Sequence, residues 1–257
     1  MIHATSWPVA GGGGIACAGH DSCPGREGGG GWSVGRLRGR AGDLHGRDPW
    51  AAGVGRGAWL CDCARPALVL GSAQPDRDVD RERAAGAGVE VARRRSGGGA
   101  VLVVPGRTVW VDITVPAGDR LWDADVGRAF WWVGQLWAGV LDRLGLGPSL
   151  VHRGGLVRTP WSGRICFAGL GPGEVTVDGR KVVGLSQRRT REGAVFHCAA
   201  VLALEARRTV DLLALAGGQA EEAVAALEAA AAPLGARPGC PPVTAAMIEA
   251  ALLDALP

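Results

Sequence analysis

A single lysine, Lys181, stands in a chain of 257 residues whose lysines and arginines together number 28. Arginine is a planar fork of fixed charge, whereas lysine is a compact ammonium on a flexible stem. A position that needs a point charge beside an acyl or phosphate oxygen therefore cannot easily exchange one for the other. Lys181 is the first candidate catalytic residue, and the alternative is a rare lysine that survived by chance.

The residues around Lys181 predict a β-hairpin, because Asp178-Gly179 is a strong two-residue turn signal between alternating strands. In this register Thr176 faces Lys181 and Glu174 faces Val183. Alternation then places Glu174, Thr176 and Lys181 on one face. These residues form either a polar site or an ordinary solvated hairpin face. Because the turn and the valines set the hairpin, we expect replacement of Lys181 to change stability little.

A glycine-rich segment provides the second candidate site, Arg93-Arg94-Arg95-Ser96-Gly97-Gly98-Gly99. Three glycines at a strand junction let backbone N–H groups approach an anion closely, and arginines supply charge for a phosphate or carboxylate. The segment is not a Walker A loop, since no Gly-Lys-Ser/Thr follows. A strand rather than a helix follows, which excludes a Rossmann fingerprint. The alternative is a tight hairpin without a ligand.

Composition narrows the class of protein. The net charge of +3 does not indicate general nucleic-acid binding. The seven cysteines form no CxxC pair, and Cys61-Asp62-Cys63 has the wrong spacing for a zinc knuckle. We expect mostly reduced thiols in a cytoplasmic protein, with no metal site built from these cysteines. No apolar run approaches the roughly 20 residues that a membrane span requires.

The positions of strand-like segments predict one large domain. Residues 1–31 carry two runs of four glycines and no apolar period, so we expect a disordered leader there and a single domain over 32–257. Pro105-Gly106 predicts a hairpin between two of the strands. Strands are predicted at 67–70, 89–91, 100–104, 108–115, 164–168, 174–183 and 194–204.

Helical periodicity is clearest at 126–144, where Val126, Phe130, Val133, Trp137, Val140 and Leu144 share one face. Carboxylates near the start and glycines after the end suit a helix. Three shorter helices are predicted near 207–216, 219–232 and 243–256. Strands with interspersed helices in a mostly antiparallel or mixed sheet give an α+β fold.

The two motifs in this order resemble the superfamily of lipoate–protein ligase A, octanoyltransferases and biotin ligases, from about residue 65 to 215. Four segments carry the resemblance. They are Pro66–Gln74 (PALVLGSAQ), which is similar to a strand ending in Gly-x-x-Gln; Val89–Val101 (VEVARRRSGGGAV), similar to the glycine-rich substrate loop; Gly179–Gly184 (GRKVVG) with Ser186-Gln187-Arg188; and Phe196-His197, which matches a His-Gly strand in part.

The resemblance implies a biotin/lipoate protein ligase-like catalytic domain, akin to class II synthetases, in which a mixed β-sheet is flanked by helices. It implies that Lys181 is the catalytic cation at the activated carbonyl or phosphate. The acyl or nucleotide pocket would be lined by Arg94, Ser96, Gly97, Gly98 and Gly99, with Gly71, Gln74, Glu174 and Gly184 nearby.

The chain departs from the ligase pattern at four places. Leu102-Val103-Val104 replaces an aromatic and His-Asp, and Gly173-Glu174 replaces Asn-Asp. Cys198 follows His197 where the family has glycine. Since only about 40 residues follow the last matching segment, we expect the small accessory domain of longer ligases to be absent.

Cys166 lies about where cysteine/lysine octanoyltransferases and amidotransferases of this superfamily place their nucleophile. A thiolate beside a cation has a lowered pKa and can hold an acyl thioester. The alternative is an ordinary buried cysteine in an apolar strand.

The resemblance implies an enzyme that attaches lipoate or octanoate to a lysine of a carrier domain, either a lipoyl domain of a 2-oxoacid dehydrogenase or the glycine cleavage H protein. A ligase would use ATP and Mg²⁺ to form acyl-AMP, with the arginines 93–95 and Lys181 neutralising the phosphate. The alternative is ATP-independent transfer from acyl carrier protein or another lipoyl domain through a Cys166 thioester. A second alternative is a non-catalytic lipoyl-binding or accessory protein. No nucleic-acid or membrane partner is expected.

Overall fold

The computed structural model describes residues 31–51, 53–235, 239–240 and 242–257. Residues 1–30 of the predicted leader lie outside the described residues, so the leader stays a prediction. Ten strands occur in the described part: β1 (Trp32–Gly39), β2 (Arg56–Cys63), β3 (Ala67–Leu70), β4 (Glu90–Arg93), β5 (Val101–Val103), β6 (Thr108–Pro116), β7 (Ser149–Val151), β8 (Val175–Val177), β9 (Arg180–Arg189) and β10 (Gly193–Val201).

The helices of the described residues follow the predicted positions in the second half of the chain. They are α1 (Ala41–Gly46), α2 (Arg81–Gly86), α3 (Ala129–Arg143), α4 (Ala206–Asp211), α5 (Gln219–Ala230) and α6 (Ala245–Asp254). Val126 is exposed and precedes α3, which begins after the Asp125 side chain accepts the Arg128 backbone N–H. Gly145, with φ of +70°, ends the helical path.

Two sheets organise the molecule. The larger has the order β1-β2-β6-β10-β9-β8-β7, in which β1 and β2 are parallel and the other pairs antiparallel. The smaller has the order β4-β3-β5, with β3 parallel to β4 and antiparallel to β5. Mixed sheets flanked by helices confirm the predicted α+β class.

Alternation along β6 separates the two faces of the large sheet. Val109, Val111, Ile113 and Val115 belong to the core that includes residues of α3 and α6. Trp110 belongs to a second cluster that also contains residues of α1 and the small sheet. Because successive side chains of a strand point to opposite faces, Asp112 shares the face of Trp110. This face is where the candidate site lies.

The predicted hairpin between 100–104 and 108–115 is wrong. β5 pairs with β3 in the small sheet, whereas β6 lies between β2 and β10 in the large sheet. β6 already has a partner on each side, so no edge is free for β5. The turn at Pro105-Gly106 therefore carries the chain from one sheet to the other.

The strand predicted at 164–168 is also wrong. Cys166–Ala168 forms a 3-10 turn, and Ile165 alone makes a bridge, to Ala100. The apolar run is short, and Ile165 and Phe167 are buried in the core beneath the small sheet. Burial thus explains their apolar character without a ladder of strand hydrogen bonds.

Candidate active site

The hairpin of β8 and β9 places Lys181 in the protein interior. Asp178 and Gly179 have φ of +52° and +74°, as the predicted two-residue turn requires. Lys181 is only 2% exposed. Its Nζ lies 2.7 Å from Glu174 Oε1 and donates to the carbonyl oxygens of Cys166 (3.0 Å) and Gly169 (3.2 Å). The polar face is therefore an internal site, not a solvated surface.

The predicted register is confirmed near the turn and wrong beyond it. Thr176 pairs with Lys181 as expected, but Val175, not Glu174, pairs with Val183, because the register shifts between Val175 and Thr176. A β-bulge of this kind bends the strand and redirects its side chains. Glu174 still reaches Lys181 because it lies just before the strand.

Glu174 connects three segments of the site. Its Oε1 accepts the backbone N–H of Leu185 at 3.1 Å, and its Oε2 accepts that of Gly171 at 2.7 Å. Together with Lys181, these contacts satisfy a carboxylate that is 4% exposed. Glu174 thus supports the site rather than lining a substrate pocket.

Cys166 lies at the start of the turn held by Lys181. Its backbone N–H donates to the Ala100 carbonyl at 2.9 Å, and Ala100 donates to the Arg164 carbonyl at 2.8 Å. The Lys181 ammonium lies 4.8 Å from the centre of the Phe167 ring. Cys166 itself is half-buried. It is therefore not the fully buried strand residue of the alternative interpretation.

The buried Arg94 side chain forms hydrogen bonds inside the glycine-rich segment 93–99, the glycine loop. It is 3% exposed and donates to the carbonyl oxygens of Val69, Gly97 and Gly99. Burial lowers the pKa of Arg94, and the nearby Cys166 and Glu174 oppose that change. The guanidinium therefore orders the loop and places positive charge beside the cysteine.

Arg93 is engaged in a similar way. It donates to the carbonyl oxygens of Gly71 at 2.7 Å and Gln74 at 2.6 Å. Gln74 in turn donates to the Arg164 carbonyl at 3.1 Å. A Cβ on Gly71 would overlap the Gly98 carbonyl oxygen. Gly71 and Gln74 thus support the loop from behind, and Arg93 and Arg95 are exposed whereas Arg94 is buried.

Ser96 and Gly184 join the glycine loop to β9. The Ser96 hydroxyl lies 2.8 Å from that of Ser186. A Cβ on Gly184 would lie 3.1 Å from the Phe167 ring and 3.2 Å from Lys181 Cε. Glycine at this position therefore permits the close packing of lysine, phenylalanine and strand.

A cavity lies between the two sheets, beside these residues. Of the predicted site residues, Arg94, Cys166 and Gly184 line this cavity, and Lys181 lies behind them. The lining residues are His45, Arg94, Val101, Val103, Trp110, Cys166, Phe167, Gly184, Leu185, Ser186, His197, Cys198 and Ala199.

A histidine–aspartate pair in this cavity was missed from the sequence. His197 Nδ1 lies 2.7 Å from Asp112 Oδ1, which also accepts the Trp110 indole N–H at 2.7 Å. Burial would raise the pKa of Asp112, but the charge and hydrogen bond of His197 outweigh it and the pKa is lowered. A carboxylate in the middle of the apolar strand 108–115 was the signal that could have revealed the pair.

His45 closes one wall of the cavity. It belongs to α1, stacks on Trp110 at 4.3 Å and meets the edge of His197 at 4.9 Å. Its Nδ1 has no hydrogen-bond partner among the described residues. Burial, followed by the charge of His197, lowers the pKa of His45 to about 3. His45 is therefore neutral at ordinary pH.

This pKa makes His45 a source of acid instability. The unfolded chain binds a proton near pH 6.5 and the folded protein near pH 3, so stability is complete above pH 6.5 and declines as pH falls, by about 1.4 kcal/mol per unit. We expect wild type to lose about 3 kcal/mol more than His45→Phe between pH 7 and pH 4. Urea unfolding at pH 7 and at pH 4 measures the free energy of unfolding of wild type and His45→Phe, and His152→Phe is the control. Equal losses in wild type and His45→Phe would contradict it.

Residues 57–256 match the lipoyl protein ligase A/B catalytic domain family. The chain belongs to this family. It is accordingly an enzyme of the lipoyl protein ligase family, as predicted. No curated protein matches the sequence.

Solved structures of lipoate–protein ligases share the fold. A bipartite lipoate protein ligase of Thermoplasma acidophilum, studied with its E2 lipoyl domain, has a TM-score of 0.64 at 14% identity, covering 86% of this chain and 80% of that one. A lipoate–protein ligase A bound with ATP has a TM-score of 0.63 at 14% identity, covering 85% and 81%. P. falciparum LipL1 in complex with lipoate has 0.59 at 14% identity, covering 88% and 61%.

The lipoyl protein ligase match includes Cys166, Lys181 and the His197–Asp112 pair, but begins after α1. His45 therefore comes from a segment outside the matched residues. Among the described residues, no group of three or more histidines, cysteines or carboxylates is arranged to hold a metal. Within the same part of the chain, no helix has the length and apolar character to cross a membrane.

Proposed function

We propose that this chain transfers an octanoyl or lipoyl group to a lysine of a carrier domain through a thioester on Cys166. The observation that carries the proposal is the place of Cys166, half-buried on the cavity wall beside Arg94. A cysteine sulfur that reaches a cavity can attack an acyl carbonyl and hold the acyl group as a thioester. The E2 lipoyl domain studied with the Thermoplasma ligase supports lipoyl domains as acceptors.

The proposed reaction has two acyl transfers. The Cys166 sulfur attacks the donor thioester, the donor carbon–sulfur bond breaks and the donor thiol leaves. The carrier lysine amine then attacks the enzyme thioester, an amide bond forms and the Cys166 thiol is released. Both steps conserve the acyl group and need no ATP.

In this proposal Lys181 is a positioning residue. Its ammonium has three protein acceptors, one of which is the carbonyl oxygen of Cys166 itself. These bonds fix the turn from which the sulfur projects. The sequence assigned Lys181 to direct contact with the substrate, and its complete set of protein partners favours support of the cysteine turn instead.

The second candidate is an ATP-dependent ligase that forms acyl-AMP. The observation that favours it is that the exposed Arg95 of the glycine loop lies near Arg188. Burial, followed by the charge of Arg95, lowers the pKa of Arg188. Two such side chains suit a phosphate. Arg93 and Arg94 suit it less, because their donors are already bonded to backbone carbonyls. Mg²⁺ would bind largely to the phosphates of the nucleotide.

An acyl-transfer assay separates the two candidates. We expect incubation with octanoyl acyl carrier protein, without ATP, to add one octanoyl group to the enzyme and then to an apo lipoyl domain. Cys166→Ser removes the nucleophile and should abolish both additions, as seen by intact mass. Cys240→Ser is the matched control, since Cys240 is a half-buried free cysteine that does not line the cavity.

Two outcomes would favour the ligase instead. One is acylation of the lipoyl domain by Cys166→Ser in the presence of free lipoate, ATP and Mg²⁺. The other is complete dependence of wild-type transfer on ATP. Either result would overturn the thioester route.

A further inference from the structure

We infer that His197, held by Asp112, carries the proton during acyl transfer at Cys166. This inference rests on the proposed function, because it assigns a role within the thioester route. His197 and Cys166 line the same cavity, and the Nδ1 atom of His197 is bonded to Asp112. The remaining ring nitrogen, Nε2, is then the one that exchanges a proton.

The other titratable groups of the cavity are unsuited to this role. Arg94 keeps its protons and gives them to backbone carbonyls. His45 is kept neutral by burial and by the charge of His197. Lys181 is behind the wall, and its ammonium is bonded to one carboxylate and two carbonyl oxygens. His197 therefore remains as the group with both access to the cavity and a partner for its charged form.

The fold fixes the orientation of the imidazole ring. His197 on β10 lies directly opposite Asp112 on β6, and directly opposite Ser186 on β9. The buried Asp112 carboxylate is held in turn by the Trp110 indole. A buried carboxylate on Nδ1 selects the tautomer of a histidine and stabilises its imidazolium form. The strand ladder, rather than a mobile loop, thus sets the direction of proton transfer.

The charged and titratable groups around His197 come from four segments. Asp112 faces it from β6 and His45 from α1, while Arg94 and Cys166 lie on the glycine loop and the 3-10 turn of the same cavity. Of these groups, only Asp112 is hydrogen-bonded to the ring.

The proposed proton movement balances in both transfers. Nε2 accepts the Cys166 thiol proton as the sulfur–carbon bond to the donor acyl group forms. It returns this proton to the departing donor thiol as the old carbon–sulfur bond breaks. In the second transfer it accepts a proton from the attacking amine and gives it to the Cys166 sulfur as the thioester breaks.

The test is the pH dependence of Cys166 acylation in single turnovers with octanoyl acyl carrier protein. We expect His197→Gln to load about 10²–10⁴-fold more slowly than wild type near pH 7. Its loading should recover as the pH rises, because hydroxide can then remove the thiol proton in place of His197. Asp112→Asn should also load more slowly than wild type. His152→Gln, which replaces a histidine outside the cavity, is the control and should load at the wild-type rate.

The result is distinguishable from failure of the proposed function. If Cys166→Ser is inactive but His197→Gln keeps the wild-type rate and pH profile, the role of His197 is overturned and the thioester route stands. If Cys166→Ser still modifies the lipoyl domain, the route itself is overturned. Should His197→Gln fold poorly, Asp112→Asn is the second variant. Slower loading than wild type supports the inference, and loading at the wild-type rate overturns it.

Discussion

Replacement of Lys181 by methionine should destabilise the protein by about 3–5 kcal/mol, because it leaves the Glu174 carboxylate buried without its cation. Both side chains are almost fully enclosed, and their charged atoms lie 2.7 Å apart. Lys181→Arg should not restore stability, since the longer, planar guanidinium does not fit the three acceptors of the ammonium. The expectation from the sequence, that Lys181 contributes little to stability, does not fit this burial.

A double-mutant cycle in urea tests this ion pair. Glu174→Gln should also destabilise, whereas Lys181→Met with Glu174→Gln should be more stable than the sum of the single losses predicts. Arg180→Met is the matched control, because Arg180 is the exposed neighbour on the same strand and should change stability by no more than about 0.5 kcal/mol. If Lys181→Met and Arg180→Met were equally stable, the buried pair would not support the hairpin.

An alanine at Gly99 should push the glycine loop away from the backbone that leads into the 3-10 turn at Cys166–Ala168. A Cβ there would lie 2.6 Å from the Ile165 nitrogen and 2.7 Å from the Arg164 carbonyl carbon. Both contacts are with backbone, which cannot rotate away as a side chain can. We expect about 1–3 kcal/mol of destabilisation and about a hundredfold loss of acyl transfer, because the reacting groups are displaced.

Gly97→Ala provides the matched control for this substitution. A Cβ on Gly97 would meet nothing within 4 Å, although the residue belongs to the same loop. Stability and transfer should therefore stay near wild type in Gly97→Ala. Thermal unfolding and the mass assay measure both variants. Equal behaviour of the two would mean that the loop can move away from Ile165 at little cost.

The sequence was sufficient for the local elements that have strong signals. Asp178-Gly179 predicted the hairpin, and the apolar period of α3 predicted the main helix. β1 and β2 had no such signal: β1 reads Trp-Ser-Val-Gly-Arg-Leu-Arg-Gly, with most positions partly or fully open to solvent. The partners of β5 and β6 depend on long-range pairing, which a turn signal cannot specify.

The site was partly predictable for the same reasons. Lys181, Cys166 and the glycine loop could be found from residue type and from a resemblance in motif order. Their environments could not, because burial of Lys181 depends on Glu174 and on carbonyls from a separate turn. His45, Asp112 and His197 lie far apart in sequence and meet only across α1, β6 and β10.

The three carbonyls held by Arg94 have a consequence for the thermodynamics of ligand binding. A run of three glycines is the most flexible kind of backbone, and a loop that orders on contact with its ligand loses conformational entropy at that moment. Here the guanidinium already holds two of the loop's carbonyls and that of Val69 in β3. The conformational entropy of the glycine loop is therefore lost when the chain folds, not when the ligand binds. Acyl-chain binding should accordingly show a heat-capacity change that reflects burial of apolar surface, without the larger entropic penalty of a loop that closes over its ligand.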